Sequence, residues 1–443
     1  MPGVTKAEWP PWQEFTYTKD LATSLSTDPT YAQTKASIIA QFGESNLRKS
    51  WLKTCEALKH ITADLETRGN EVIPVLHISD VLSDSVPQAT KDEIRARGAF
   101  VVREVIPRGE VEREFEVLRE YVYGEGNRGR VGGWPVGTPS ILRLYNSPSQ
   151  NRLRSHGNQV KLMRWINNLW EWEGKEEGKG ELSAEPLVYA DAVRIRPPHQ
   201  PFLGLGPHID AGSLCRWADP SYRSTYSSIF SGNPENHNSY NLSLRASANQ
   251  MLFPGNGQST VLRCFQGWTA LSRTAPREGT IRLFPAVKWQ IAYILLRPFF
   301  RAPEDEADIL DAEKWVFDGE TPWFPGTVKE TSQYVSVASH PHLRLKDCLV
   351  YAPPMEAGDT VWWHADMCHA VDAEHTGTTP AAVTYIAATP TTPINKAYMA
   401  RQHSLMSKGL PPPDFGSGSD ESGLVGYEGF KGDEGMWRAL MGV

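Results

Sequence analysis

The chain has 443 residues, 45 basic and 52 acidic, for a formal net charge of −7 and a pI near 6.0. That length buries a substantial core in one large domain or two, and the acidic balance argues against nucleic acid or an anionic membrane as partner and for a small molecule. Five scattered cysteines without a CxxC pair, no leader and no apolar run of about 18 residues point to a reducing, cytoplasmic setting with no membrane span.

Residues 1–44, rich in Pro, Thr, Ser and Lys, read as an arm lying over the domain. Through 45–68 the apolar residues Leu47, Trp51, Leu52, Leu58, Ile61 and Leu65 recur at helical spacing, and Gly69 stops the run. Thr90 is placed to cap a helix over 91–97, which leads into a strand at 98–102. A second helical pattern covers 110–123, followed by a glycine-rich loop at 124–137. Asn158 precedes a helical pattern at 159–173, and 173–181 reads as a charged, solvated loop. A strand at 187–195 ends at Pro197-Pro198, and another follows at 203–210. Segment 216–257 has little periodicity and much Ser, Asn, Tyr and Pro, the character of a lid over a substrate, with a surface insertion as the alternative. Strands follow at 261–272 and 280–287, and 291–300 is core, too short to span a membrane. An acidic helix and loop is expected at 301–335, and the last strands at 358–371 and 381–388. Beyond 411–413 the tail reads as mobile until Met436, Trp437, Leu440 and Met441 form an apolar turn able to dock back. The expected division is 1–97 (arm and helices), 98–415 (catalytic domain) and 416–443 (tail).

The chemistry concentrates in GPHIDAG (206–212) and GDTVWWHADMCH (358–369). In an extended strand His208 and Asp210 present an imidazole and a carboxylate to one side. One more histidine completes a two-His-one-carboxylate face, which leaves three coordination positions open. His364 and His369 are five apart, so in a regular strand they face opposite ways. With His369 inward, Val361, Trp363, Ala365 and Met367 give an apolar lining; with His364 inward, Thr360, Trp362, Asp366 and Cys368 share its face. His369 is therefore the expected third ligand, unless a bulge breaks the alternation. Zinc or another metal in the same ligands is the plainer reading. His60 reads as a helix-surface residue, His340-Pro341-His342 as a loop, and His199, His237 and His375 as solvated. Trp217, Trp268, Trp362 and Trp363 read as core packing ahead of an aromatic substrate cage.

On LGLGPHIDAGSLCRW (203–217), RCFQGWTALS (263–272), GDTVWWHADMCHAV (358–371) and PPPDF (411–415), the sequence resembles the iron(II)/2-oxoglutarate-dependent dioxygenases, in particular the phytanoyl-CoA dioxygenase-like branch. It more closely resembles a bacterial and fungal domain family of unknown function, some of whose members are named for induction by N-acetylglucosamine. The resemblance runs from about Gly98 to Phe415. It implies an α+β chain with a mainly β core, a double-stranded β-helix (jelly roll, cupin-like) with N-terminal helices and long insertions. It also implies Fe(II) held by His208, Asp210 and His369, with 2-oxoglutarate and O2 as co-substrates. It implies neither a particular substrate nor an oligomeric state. Many such enzymes carry a basic residue about ten positions after the distal histidine to hold the far carboxylate of 2-oxoglutarate; here that position is Thr379, and the next basic residue is Lys396. Arg263 is the first candidate for this role and Arg282 the second, followed by Arg194 and Arg196, with Arg401 last. The alternatives are a jelly-roll binding or regulatory protein without turnover, and a metal-dependent cupin-type enzyme that does not use 2-oxoglutarate.

Overall fold

Two sheets carry the residues singled out above, and in the computed structural model each is built from strands far apart in sequence. The model describes residues 8–16, 27–174, 181–200, 202–255, 257–416, 418, 420–429 and 434–442, so most of the charged loop expected at 173–181 lies outside the described residues. The larger sheet runs in the order Val75–His77, Ala99–Arg103, Thr360–His364, Phe265–Ala270, Ala381–Thr391, Val193–Arg196, Ile141–Leu142, Gly133–Trp134, with Ser183–Leu187 pairing beside Ala381–Thr391. The smaller runs Gln333–Tyr334, Leu205–Ile209, His369–Val371, Ile281–Leu283, Val350–Tyr351. A third, two-stranded ribbon pairs Phe300–Arg301 with Val316–Phe317. The architecture is mixed α+β, and none of these sheets closes on itself among the described residues.

The larger sheet is covered on both faces, so its central strands are buried at every position instead of alternating in polarity. On one face Val361, Trp363 and Trp268 join a core with Ile281, Leu283 and Val371 of the smaller sheet. On the other face Trp362, Phe100 and Phe265 pack with Leu118 and Ile166, from helices Arg108–Tyr123 and Gly157–Asn167. Helix Glu44–Arg68 forms where the periodicity predicts it and buries Leu47, Trp51, Leu58 and Leu65. Its Trp51 stacks on Phe300 at 4.5 Å between ring centroids. Helix Val287–Leu296 is buried almost all round, as its apolar sequence requires. No described helix is long and apolar enough to cross a membrane.

Several expectations are corrected. Part of the supposed arm is helix Pro29–Phe42, with the Asp28 side chain accepting the Thr30 N–H at its start and proline in its first turn. The helix expected from residue 91 begins at Gln88, with Thr90 inside it. The pattern at 159–173 yields only Gly157–Asn167. The strand at 187–195 splits into Ser183–Leu187 and Val193–Arg196. Segment 301–335 holds short 3-10 turns and ribbon strands instead of an α-helix. Segment 216–257 folds into one-turn helices whose Trp217, Tyr222, Tyr226, Ile229 and Phe230 are buried, so it is no surface decoration. In the tail, Glu421 is buried and accepts the backbone N–H groups of Tyr145 and Asn146 at 2.8 and 2.9 Å. Helix Glu434–Met441 docks through Trp437, Leu440 and Met441, as the apolar turn predicts.

Gly358, which opens the strand leading to the second motif, has φ +95°. A Cβ built there would lie 2.0 Å from the Ile106 carbonyl oxygen, a backbone atom with no freedom to withdraw. Gly358→Ala is therefore expected to lower the unfolding free energy by about 3 kcal/mol or more, read from urea denaturation; a change below about 0.5 kcal/mol would show that the turn relaxes freely.

Candidate metal centre

Strands Leu205–Ile209 and His369–Val371 are antiparallel neighbours, and their register sets His208 directly opposite His369. Facing residues in such a pair hold their side chains side by side on one face, and the two imidazole centroids are 4.4 Å apart. Asp210 lies just past the end of its strand, followed by Ala211 and Gly212 in left-handed conformation (φ +54° and +63°). That turn brings the Asp210 carboxylate back between the rings. Its Oδ1 is 3.3 Å from His208 Nε2 and its Oδ2 3.7 Å from His369 Nε2. One ligand atom from each of His208, Asp210 and His369 falls within a 4.8 Å cluster, and no other such group of metal-ligating side chains occurs among the described residues. Gly212 is required here, since a Cβ would meet the Tyr222 ring at 2.8 Å.

The tautomers are set by the backbone. His208 Nδ1 is 2.7 Å from the Gly206 carbonyl and His369 Nδ1 is 3.0 Å from that of Met367. Each carbonyl takes the Nδ1–H, which leaves each Nε2 lone pair facing Asp210, the arrangement by which a second partner orients a ligating histidine. Burial drives the His369 imidazole down to about 4, helped by His208 beside it. Burial also acts against a charged His208, but the adjacent Asp210 carboxylate outweighs it and raises this pKa. Asp210 is pushed up by burial and pulled further down by both imidazoles and Arg263, so it stays ionised. Cis ligands on bonds of about 2.1 Å are roughly 3 Å apart, so the observed spans fit a metal with little rearrangement.

It is His369 and not His364 that joins the cluster, and strand parity alone does not account for it. After Thr360–His364 the chain turns, with the Met367 N–H on the His364 carbonyl at 2.9 Å, and His369 begins a strand of the other sheet. His364 stays on the far side, stacked on Trp170 at 5.0 Å with its Nε2 against the Ser239 carbonyl. The turn is locked by Asp366, whose carboxylate takes two hydrogen bonds from Arg245 at 2.7 and 2.9 Å and one, shared between its two oxygens, from the Tyr226 hydroxyl. Asp359, beside Gly358, is also structural: it accepts from Arg103 at 2.6 Å and from the Glu104 and Glu356 N–H groups at 2.9 Å each.

A cavity of about 330 Å³ opens on the triad, lined by residues of both sheets, among them Trp268, Trp363, Ile281 and Tyr385, and by Tyr145, Asp191, Arg263 and Phe415. No residue of 216–257 lines it, so the lid expected there is instead packing behind the metal turn. Arg263 reaches the cavity. Its guanidinium lies 5.4 Å from the centre of the Tyr189 ring and makes no hydrogen bond to any described residue. Arg282 does not line the cavity; it pairs with Asp372 at 2.9 Å and with the Tyr351 hydroxyl. Arg196 is committed to the carbonyls of Asp372, Ala373 and Phe202. Arg194 does not line the cavity either: it is fully buried, stacks 4.4 Å from the Trp268 ring centre and donates to the Gly279 carbonyl at 2.8 Å. Arg401 is exposed on helix Pro393–Met406 and does not line the cavity. His199 is exposed as expected, whereas His237 and His375 are buried and not solvated.

Arg245→Ala would strand the buried Asp366 charge that fixes the turn before His369. The expected loss is about 3–5 kcal/mol of stability, read from denaturant unfolding; a loss under about 1 kcal/mol would show that Arg216, 3.5 Å from the same carboxylate, suffices alone.

Comparison with known proteins adds the family. The chain is 30% identical over 362 residues to YbiU of Escherichia coli (strain K12), covering 79% of this chain and 80% of that protein. Its fold matches the crystal structure of Gig2, encoded by a GlcNAc-inducible gene of Candida albicans, with a TM-score of 0.79 at 24% identity over 94% of this chain and 93% of that one. It also matches a structure from Escherichia coli, that of protein JW0805, with a TM-score of 0.78 at 26% identity over 94% and 98%. The model of the Gig2-like family matches residues 23–436. With nearly the whole length matched, the chain belongs to the Gig2-like family.

Proposed function

We propose that this chain is an iron(II)- and 2-oxoglutarate-dependent dioxygenase that oxidises, and most simply hydroxylates, a small organic molecule in the cavity. The observation that carries the reading is the triad itself: two imidazole Nε2 atoms and one ionised carboxylate converge on a single point at the edge of a cavity. A two-His-one-carboxylate face with open positions suits non-haem iron(II). Two sheets contributing facing residues to one cavity also agree with a double-stranded β-helix. When bound, iron(II) with 2-oxoglutarate supplies the activation of O2 and the oxidising equivalent for the substrate C–H bond.

The residues of the chain position and shield. Gly206 and Met367 hold the two imidazole tautomers through their carbonyls. Trp363, its ring 5.1 Å from His369, and Trp268 wall the site with apolar surface and exclude water. Arg263 is the anchor we assign to the far carboxylate of 2-oxoglutarate, because it is a half-buried guanidinium that faces the cavity with its donors uncommitted.

Anaerobic titration of the iron(II) protein with 2-oxoglutarate is expected to give the weak visible charge-transfer band of the chelate, and succinate should form in air with a substrate. His208→Ala should remove both stoichiometric iron and the band; if it binds iron and turns over as the parent does, the triad assignment is wrong. Arg263→Ala is expected to raise the 2-oxoglutarate concentration needed for the band by about tenfold or more, the worth of one charge-assisted pair, with iron binding intact. Unchanged co-substrate affinity would remove Arg263 from the site.

A further inference from the structure

Asp191 is a half-buried carboxylate in the wall of the same cavity that the triad and Arg263 do not account for. It stands in the stretch between strands Ser183–Leu187 and Val193–Arg196, where a continuous strand is expected and the chain instead breaks away. The break is held from outside: the Asp191 carbonyl accepts from Gln150 at 3.1 Å and from Arg154 at 2.8 Å, and the neighbouring Ala190 N–H is bonded to Gln402. So fixed, the side chain gives one oxygen to the Ala192 N–H at 2.6 Å, and its other oxygen has no hydrogen bond to a described residue. Burial pushes this carboxyl up to about 6, although Arg263 and Arg154 attract its charge.

The charges in the chamber can be set against each other. Beyond the histidines, the cavity is lined by Asp210, Asp191, Arg263 and, at its exposed rim, Arg143. On the reading above, Asp210 is taken by the metal and Arg263 by the far carboxylate of 2-oxoglutarate, while Arg143 is hydrated and screened. Asp191 then keeps only Arg154 nearby, whose guanidinium is spent on the Tyr145 and Asp191 carbonyls, so the carboxylate faces the chamber with no cation bonded to it unless the substrate supplies one. A carboxylate or phosphate there would be repelled, and a neutral hydroxyl would leave the charge uncompensated. An ammonium group cancels it. The rings nearby suit a cation too, since Tyr145, Phe415, Trp268 and Tyr385 also line the cavity, with Tyr145 and Phe415 stacked at 4.5 Å.

We propose that Asp191 is the substrate-recognition carboxylate, and that the molecule oxidised here is a small amine bound as its ammonium ion with its apolar body against the aromatic wall. This inference rests on the oxygenase reading, and one sample tests the two separately. The full-length protein is loaded anaerobically with iron(II) and 2-oxoglutarate, the charge-transfer band is recorded, and phenethylamine or 2-phenylethanol is then titrated while tryptophan fluorescence is followed. The amine should bind about tenfold or more tightly than the alcohol, and Asp191→Asn should remove that preference while the band and the affinity for the alcohol stay as in the parent. Equal affinity for the two probes, an amine preference that survives in Asp191→Asn, or no binding of either would overturn the amine assignment. A missing band with the amine preference intact would instead sink the oxygenase reading.

Discussion

The site depends on one cross-strand pair. Because Leu205–Ile209 and His369–Val371 lie antiparallel with His208 opposite His369, the two imidazoles are brought together by backbone hydrogen bonding before any metal arrives. A slip of one residue would send both sets of side chains to the other face. Register at this point is held on both sides, by Gln333–Tyr334 pairing with the His208 strand and Ile281–Leu283 with the His369 strand. Preorganisation of this kind lets two imidazoles and a carboxylate sit close together in a buried place.

A second buried cluster supports the first. Asp366 with Arg245, Arg216 and Tyr226 ties the crossing between sheets to the helical segment after the first motif. Burying such ions does little for net stability, because desolvation offsets much of the attraction. What the cluster provides is geometry: only one path of the turn satisfies both carboxylate oxygens, and that path delivers His369. Segment 216–257 thus serves the metal centre from behind, although it never touches the cavity.

The metal motif was legible because His-x-Asp depends only on strand alternation, a local property. The third ligand was legible by identity and not by route, since a turn that moves the chain from one sheet to another leaves no periodic signal. Segment 216–257 misled because its Ser, Asn, Asp and Pro residues serve as caps and helix starts: the Asp219 carboxylate accepts the Tyr222 N–H and Asn241 that of Leu244. One-turn helices are too short to show a period, so cap-rich sequence reads as loop. Helix Pro29–Phe42 was available from Asp28-Pro29, a cap followed by proline, and was passed over for its polar context. Polar neighbours also hid the burial of His237 and His375, which is decided by contacts remote in sequence. Arg263 and Asp191 could be placed in one chamber only by the fold.

Phe415 and Asp414, near the end of the chain, take part in the site's architecture. Phe415 lines the cavity, and Asp414 accepts from the Tyr189 hydroxyl at 2.9 Å and from Ser259 at 2.6 Å, the same Tyr189 whose ring underlies Arg263. Translation makes these residues after both strands that carry the candidate triad. A nascent chain that has passed residue 371 already carries all three side chains of the cluster, while the part of the chamber wall that Phe415 supplies is still to come. The order of translation thereby supplies the candidate metal centre before it supplies the wall that would enclose a ligand beside it.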